Sequence, residues 1–424
     1  MTAVDTSATP ANQAVAPAAI AVPTSGGSAD KPRTSTSSRK TCNQARSWSS
    51  VHLDAIRGCA ALVVVAGHER GLFLTNVTAS AVPPRPLEPG FVHQRGDNIS
   101  IGDEAVIVFF VLSGYLVGGS VVKAFARQNW SWTDYLLRRM TRLWTVLIPA
   151  LLLGMTIDFV GMHAFAGAGG IYDAPFGQDC VETKNFGDIW SLRIFFGNLA
   201  FLQGILTPLA GTNKALWSLS YEFWYYIAFP MLLFALVGRT GGKARIAYAA
   251  GCGLILWFIG SHAASMFMIW LLGVGVALAP RKLPALAAQL ATLAAPLALV
   301  ATFLLVKSHI ANPDVAEFTI ALIFAAILYA ILHRTTKASP GIYSAAARFI
   351  SEISYTLYLT HLPLLIFLCA IFNRPWRLEA LGGGSLAIFG LVLALSVFYA
   401  WLLYLAFESR TDRFRAAIAR RLNG

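Results

Sequence analysis

The sequence predicts an all-α integral membrane protein, with about ten transmembrane helices around a central polar cavity and both termini cytoplasmic. Three observations predict it. Of the 424 residues 56% are apolar and only 13% are charged, about half the charged share of an ordinary soluble domain. The apolar residues gather into long runs, and mean hydropathy is +0.60. The basic residues, finally, crowd into every second connection between those runs. A backbone in lipid has to satisfy its own polar groups, so runs of this length read as helices.

Residues 1–49 are rich in Ala, Pro, Ser and Thr and offer almost nothing to bury, which predicts a disordered tail. Its basic end, with Lys31, Arg33, Arg39, Lys40 and Arg46, places it in the cytoplasm and against anionic lipid. No cleavable leader is expected, since the first apolar run begins only after this tail. Ten spans follow, over 53–74, 104–124, 143–163, 217–237, 246–261, 263–280, 284–306, 315–333, 352–372 and 384–407. With the N-terminus inside, 23 of the 33 basic residues fall on the cytoplasmic side and nine outside, with Arg57 within a span. That asymmetry is the positive-inside pattern, and it returns the C-terminus to the cytoplasm.

The largest external loop, 164–216, carries Asp173, Asp179, Glu182 and Asp188, with a short amphipathic helix expected near 190–205. Residues 411–424 form a short basic cytoplasmic tail, and no soluble domain is expected after the last span. The net charge of +12 is a matter of topology. No basic stripe with interleaved aromatics occurs, which argues against nucleic acid as a partner. Cys59, Cys252 and Cys369 lie in apolar runs, and Cys42 and Cys180 do not. This spacing predicts neither a disulfide framework nor a metal site.

The first span reads LDAIRGCAALVVVAGHERG, with ten residues between Arg57 and His68. Eleven helical steps bring His68 to within about 20° of the direction of Arg57, roughly 16 Å further along the axis. With Arg57 at one surface, His68 would lie near mid-bilayer, where an ionisable group is costly and usually functional. Asp54, three residues before Arg57, is placed for an ion pair. The stripe suggests an anion clamp at the mouth of a membrane-embedded site and a proton-transfer group at depth.

The second span, GDEAVIVFFVLSGYLVGG, has small residues at Ser113, Gly114, Gly118 and Gly119 that admit another backbone. Ser113 is a candidate ligand contact. Next, YLLRRMTRLW gathers Arg138, Arg139 and Arg142 on the cytoplasmic side. Arg139 and Arg142 are three apart and face alike, a pattern suited to phosphate through forked hydrogen bonds. In LWSLSYEFWYYIAFP the residues Ser218, Glu222 and Tyr225 form one polar stripe beginning beside Trp217. SYTLYLTHLP does the same with Ser354, Tyr358 and His361, with Pro363 just beyond. Two intramembrane histidines and a glutamate together suggest a polar cavity.

These four segments, in this order, resemble the acyltransferase family 3 of polytopic membrane proteins, over roughly 50–410. The resemblance implies a transmembrane acyltransferase domain over those residues, set in a bacterial inner membrane. It implies transfer of an acyl group, commonly acetyl, from a coenzyme A thioester to a hydroxyl of a carbohydrate-type acceptor. That acceptor could be an exopolysaccharide, a lipo-oligosaccharide, another lipid-linked glycan or a glucan. Many relatives acting on surface polysaccharides carry an appended hydrolase-like domain; none is expected here, which leaves the acceptor unnamed. The resemblance makes Arg57 and His68 essential and gives Glu222 and the Arg139/Arg142 pair supporting roles.

The two lines meet in one mechanism. The donor's phosphates dock on Arg138, Arg139, Arg142 and Arg57, with Ser113 nearby. The pantetheine arm threads inward, and His68 removes the acceptor's proton as general base, with transfer either direct or through an acyl-histidine. Glu222 or His361 orients the acceptor or the base, and Trp217, Ser218, Tyr225 and Tyr358 line the acceptor's place. No metal is required. The rival class is a secondary transporter or polysaccharide exporter that uses the same His and Glu groups as a proton relay.

Overall fold

In the computed structural model the described residues are 47–74, 101–165, 171–173, 191–238, 240–280, 313–332, 341–372 and 382–423, with single residues between. The basic tail, the acidic loop around Asp179, Glu182 and Asp188, and the expected span 284–306 lie outside them. The helices, all within the unit Ala45–Gly424, are α1 (Trp48–Phe73), α2 (Ile101–Ser113), α3 (Gly119–Ala126), α4 (Trp132–Phe165), α5 (Leu192–Leu199) and α6 (Leu216–Val237). Then come α7 (Gly242–Ile259), α8 (Ser261–Leu278), α9 (Pro313–Leu332), α10 (Ile342–Phe372), α11 (Gly383–Ala406) and α12 (Thr411–Asn423). Among the described residues nine helices are long and apolar enough to cross a membrane. They match nine of the ten expected spans, and α5 is the expected amphipathic helix of the large loop.

Helix α1 begins at Ser47, whose hydroxyl accepts from the Ser50 amide at 3.2 Å, a standard N-cap. It runs parallel to α10. His52 meets Tyr343 at 2.7 Å, Arg57 meets Ser351, His68 meets His361 at 2.9 Å, and the Cys369 thiol donates to Leu72 O at 3.7 Å. Gly58 permits this closeness, because a Cβ there would lie 2.3 Å from the Ile350 side chain. Arg57 is inset from the start of α1, while His68 lies five residues before its end. The histidine therefore sits nearer the far end of the helix than its middle.

The second expected span is one path of two α-helices joined by a π-helical turn, Gly114–Gly118. Such turns occur where close packing or function disturbs the helix. The cause here is α8. A Cβ on Gly114 would stand 1.9 Å from Trp270 O, and one on Gly273 would stand 2.0 Å from Val111 O. The two backbones touch, as the small residues predicted. Helix α9 ends beside the end of α8, where the Tyr329 hydroxyl donates to Pro280 O at 2.7 Å.

Three helices continue through prolines, Pro149, Pro230 and Pro363. A proline lacks the N–H that would bond the carbonyl four residues earlier. For Pro230 that carbonyl is Tyr226 O, and the Tyr135 hydroxyl of α4 donates to it at 3.0 Å. For Pro363 it is Leu359 O, and Asn213 Nδ2 donates to it at 2.8 Å. In a membrane such freed carbonyls need a partner from a neighbouring element. Pro230 and Pro363 thus each pin a second segment at a defined place, the latter within two residues of His361.

Candidate active site

The centre of the site is a pair of imidazoles. His361 is fully buried, and its Nδ1 lies 3.1 Å from Leu357 O and 2.9 Å from Tyr358 O. Carbonyl oxygens only accept, so Nδ1 carries the hydrogen and Nε2 of the neutral ring is an acceptor. His68 Nδ1, 2.9 Å from that Nε2, therefore donates. The rings lie nearly parallel, 5.1 Å between centroids and 14° between planes. This assignment leaves the His68 Nε2 lone pair available for a proton, and His68 is only half-buried. Glu69 turns to another side of α1, fully buried, with neither oxygen bonded.

Toward the start of α1 lies a charged cluster. Arg57 Nη2 donates to Asp54 Oδ1 at 3.3 Å and to the Ser351 hydroxyl, which itself donates to Asp54 at 3.1 Å. The ion pair expected at this spacing is present, and Arg57 Nε is buried without a bond. Glu408 accepts from the Thr356 hydroxyl at 2.5 Å. Arg142 and Arg138 are exposed, whereas Arg139 is half-buried. Arg139 donates to Ser120 Oγ at 3.3 Å, and its guanidinium lies 5.6 Å from the Tyr135 ring centroid and 5.7 Å from that of Tyr226.

Glu222 belongs to a third knot. It accepts from Ser113 Oγ at 2.7 Å and from the Tyr226 hydroxyl at 2.5 Å, while Trp270 Nε1 donates to Ser113 Oγ at 3.1 Å. Neither oxygen is paired with a histidine; of Glu222 and His361, expected to orient the acceptor or the base, His361 is the one bonded to His68. The expected donor contact at Ser113 is likewise occupied by Glu222 and Trp270.

The polar stripe of α6 splits among three neighbours. Ser218 pairs with the Tyr358 hydroxyl at 2.6 Å, and Glu222 turns to α2. Tyr225, fully buried, donates to Ala263 O at 2.5 Å. In this arrangement Tyr225 packs between α6 and α8. Its hydroxyl serves a carbonyl, and its ring lies 5.1 Å from Phe267. Trp217 is half-buried against Tyr221 and Phe110. Ser354 donates back to Ser351 O at 2.7 Å.

Three residues near the site carried no signal in their own helical stripe. The Tyr355 hydroxyl donates to Leu143 O at 3.4 Å and ties α10 to α4. Glu408, which holds the Thr356 hydroxyl, reads as part of the basic tail. Asn213, which grips Leu359 O, reads as part of an external loop. Pro363 was the one clue to Asn213, because it announces an unpaired carbonyl two residues before His361.

Nine helices long and apolar enough to cross a membrane among the described residues, two of them joined through a pair of imidazoles, define a helical membrane protein. The acyltransferase domain family matches residues 51–405, and the chain belongs to that family. Among curated proteins, the chain is 27% identical over 156 residues to YrhL of Bacillus subtilis, named as a peptidoglycan O-acetyltransferase. That match covers 36% of this chain and 22% of YrhL. It is 28% identical over 155 residues to an uncharacterized protein of Haemophilus influenzae, covering 36% of this chain and 56% of that protein. The chain thus spans less than two thirds of either relative. No solved structure matches.

Proposed function

We propose that this acyltransferase moves an acyl group, acetyl foremost, from a cytoplasmic coenzyme A thioester to a hydroxyl of a carbohydrate-type acceptor, with His68 as general base. The observation that carries the reading is the bond from His68 Nδ1 to an imidazole whose own Nδ1 is already committed to backbone carbonyls. Such an arrangement fixes the tautomer and ring of His68 and leaves Nε2 basic. Nε2 takes the hydroxyl proton as the acceptor oxygen bonds to the thioester carbon. The C–S bond then breaks, and the departing sulfur takes that proton from the imidazolium. His361 Nε2 stabilises the cation between those steps.

The guanidinium groups of Arg57, Arg139 and Arg142 would hold the donor's phosphates, and in that role a fork outperforms a point charge. Arg57→Lys is therefore expected to raise the KM for acetyl-coenzyme A about tenfold, the worth of one lost charged hydrogen bond, with kcat little changed. Steady-state kinetics check this; an unchanged donor KM would make Arg57 a tie between α1 and α10 only.

The acceptor belongs to the class that the name of YrhL suggests, a cell-envelope glycan, and the membrane to the bacterial inner membrane. The parallel runs of α1 with α10, and the common end of α8 and α9, support an even number of crossings, and the basic residues of both end segments argue for a cytoplasmic side. The deciding experiment gives purified protein labelled acetyl-coenzyme A. Label transferred to a glycan or to water, with free thiol appearing, is expected. A thioester left whole while solute crosses the membrane would mark a transporter.

A further inference from the structure

The π-helical turn Gly114–Gly118 does more than admit α8. In a regular α-helix five residues turn through about 500°, which would set Tyr115 and Ser120 roughly 140° apart. A π turn closes on the fifth residue and swings such a pair toward one side. Both line a cavity of about 210 Å³, together with Lys123, one turn further along α3. The opposite wall is the common end of α8 and α9, with Val276 and Tyr329. Two contacts fix the walls. A Cβ on Gly119 would lie 2.9 Å from that of Ala277, and the Tyr329 hydroxyl donates to Pro280 O at 2.7 Å.

The lining combines two chemistries. Tyr115 and Tyr329 supply aromatic rings, Leu116 and Val276 apolar surface, and Lys123 a cation. A second cation adjoins them. Ser120 Oγ donates to Val117 O at 2.7 Å and accepts from Arg139 Nη2 at 3.3 Å, while Arg139 Nε is buried without a bond. Among the described residues Lys123 has neither an ion pair nor a hydrogen bond for its ammonium. A lysine that serves topology alone needs no cavity beside it. One that lines a cavity with tyrosine rings, next to a guanidinium, fits a ligand that is flat at one end and multiply anionic at the other.

On the reading that the acyl donor is a coenzyme A thioester, we infer that this cavity is the subsite for the donor's 3′-phosphoadenosine end. The Lys123 ammonium pairs with the ribose 3′-phosphate, a monoester with close to two negative charges near neutral pH. The adenine lies against the Tyr115 ring, and Arg139 takes the adjoining pyrophosphate. No bond is made or broken here, so the subsite acts on the affinity for the donor and not on the chemical step. The π turn is then a device for placing a ring and a cation over one cavity.

The test measures thiol release by the full-length protein from acetyl-coenzyme A and from acetyl-dephospho-coenzyme A, which lacks only the 3′-phosphate. Wild type is expected to show a KM about tenfold higher for the dephospho donor, the worth of one charged hydrogen bond. Lys123→Met should raise the KM for acetyl-coenzyme A by a similar factor and leave that for the dephospho donor within about twofold. Tyr115→Leu should raise both alike, about tenfold, because both donors carry adenine. A Lys123→Met variant that keeps the wild-type preference, or loses affinity equally for both donors, overturns the inference while the acyltransferase reading stands. A wild-type protein that releases no thiol from either donor overturns both. Should Lys123→Met fail to fold, the wild type alone decides. Adenosine 3′,5′-bisphosphate should compete with acetyl-coenzyme A about tenfold better than adenosine 5′-phosphate, and equal competition refutes the subsite.

Discussion

Replacing His68 with alanine is expected to lower the acyl-transfer rate by about 10²–10⁴-fold, the usual contribution of a positioned general base, with protein still folded and inserted. The side chain's one bond is to His361, and its ring is half-buried, so truncation leaves a small polar void and no orphaned charge. The readout is kcat for acetyl transfer from labelled acetyl-coenzyme A, alongside the thermal midpoint in detergent. Activity within a few-fold of wild type would remove His68 from the chemistry. His361→Phe separates the base from its support. The ring remains but Nε2 is lost, so the imidazolium of His68 forfeits a charged hydrogen bond of about 1.5–3 kcal/mol. A fall in kcat of about 10–100-fold is expected, smaller than that of His68→Ala. Equal losses in the two variants would instead mark the pair as a structural unit.

Gly114→Ala is expected to have the largest effect on stability. The new methyl would meet Trp270 O at 1.9 Å and the Cα of Gly273 at 3.3 Å, and neither backbone atom can rotate away. Overpacking of this kind typically costs about 1–3 kcal/mol, and more where backbone must move. The displaced segment begins at Ser113, which joins Trp270 to Glu222, so the knot around Glu222 opens with it. A clear drop in the thermal midpoint and in the yield of folded protein is expected. Gly275, on α8 two residues beyond Gly273 and with nothing within 4 Å of its Cβ position, is the control, since its alanine variant should be neutral. An unperturbed Gly114→Ala midpoint would mean that α2 and α8 do not touch as described.

Much of this architecture was legible in the chain itself. Hydropathy alone placed nine helices where the described residues have them. Helical spacing put Asp54 against Arg57, and small residues around Gly114 foretold a backbone contact. The stripe arguments failed in an instructive way. Ser218, Glu222 and Tyr225 do share one side of α6, yet each bonds a different helix, α10, α2 and α8. A common face means a common lining only when a single neighbour or a void lies opposite.

Composition and period determined, without any coordinates, that this is a helical membrane protein with ionisable groups on its buried faces. These are local quantities, set by how many apolar residues follow one another and by the turn angle between them. Which groups meet was decided only by the tertiary structure. His68 and His361 are 293 residues apart, and Asn213 reaches Leu359 across 146. Partner choice at such range depends on helix direction, glycine contacts and the carbonyls that prolines leave open, and each of these acquires meaning only when two helices are already side by side.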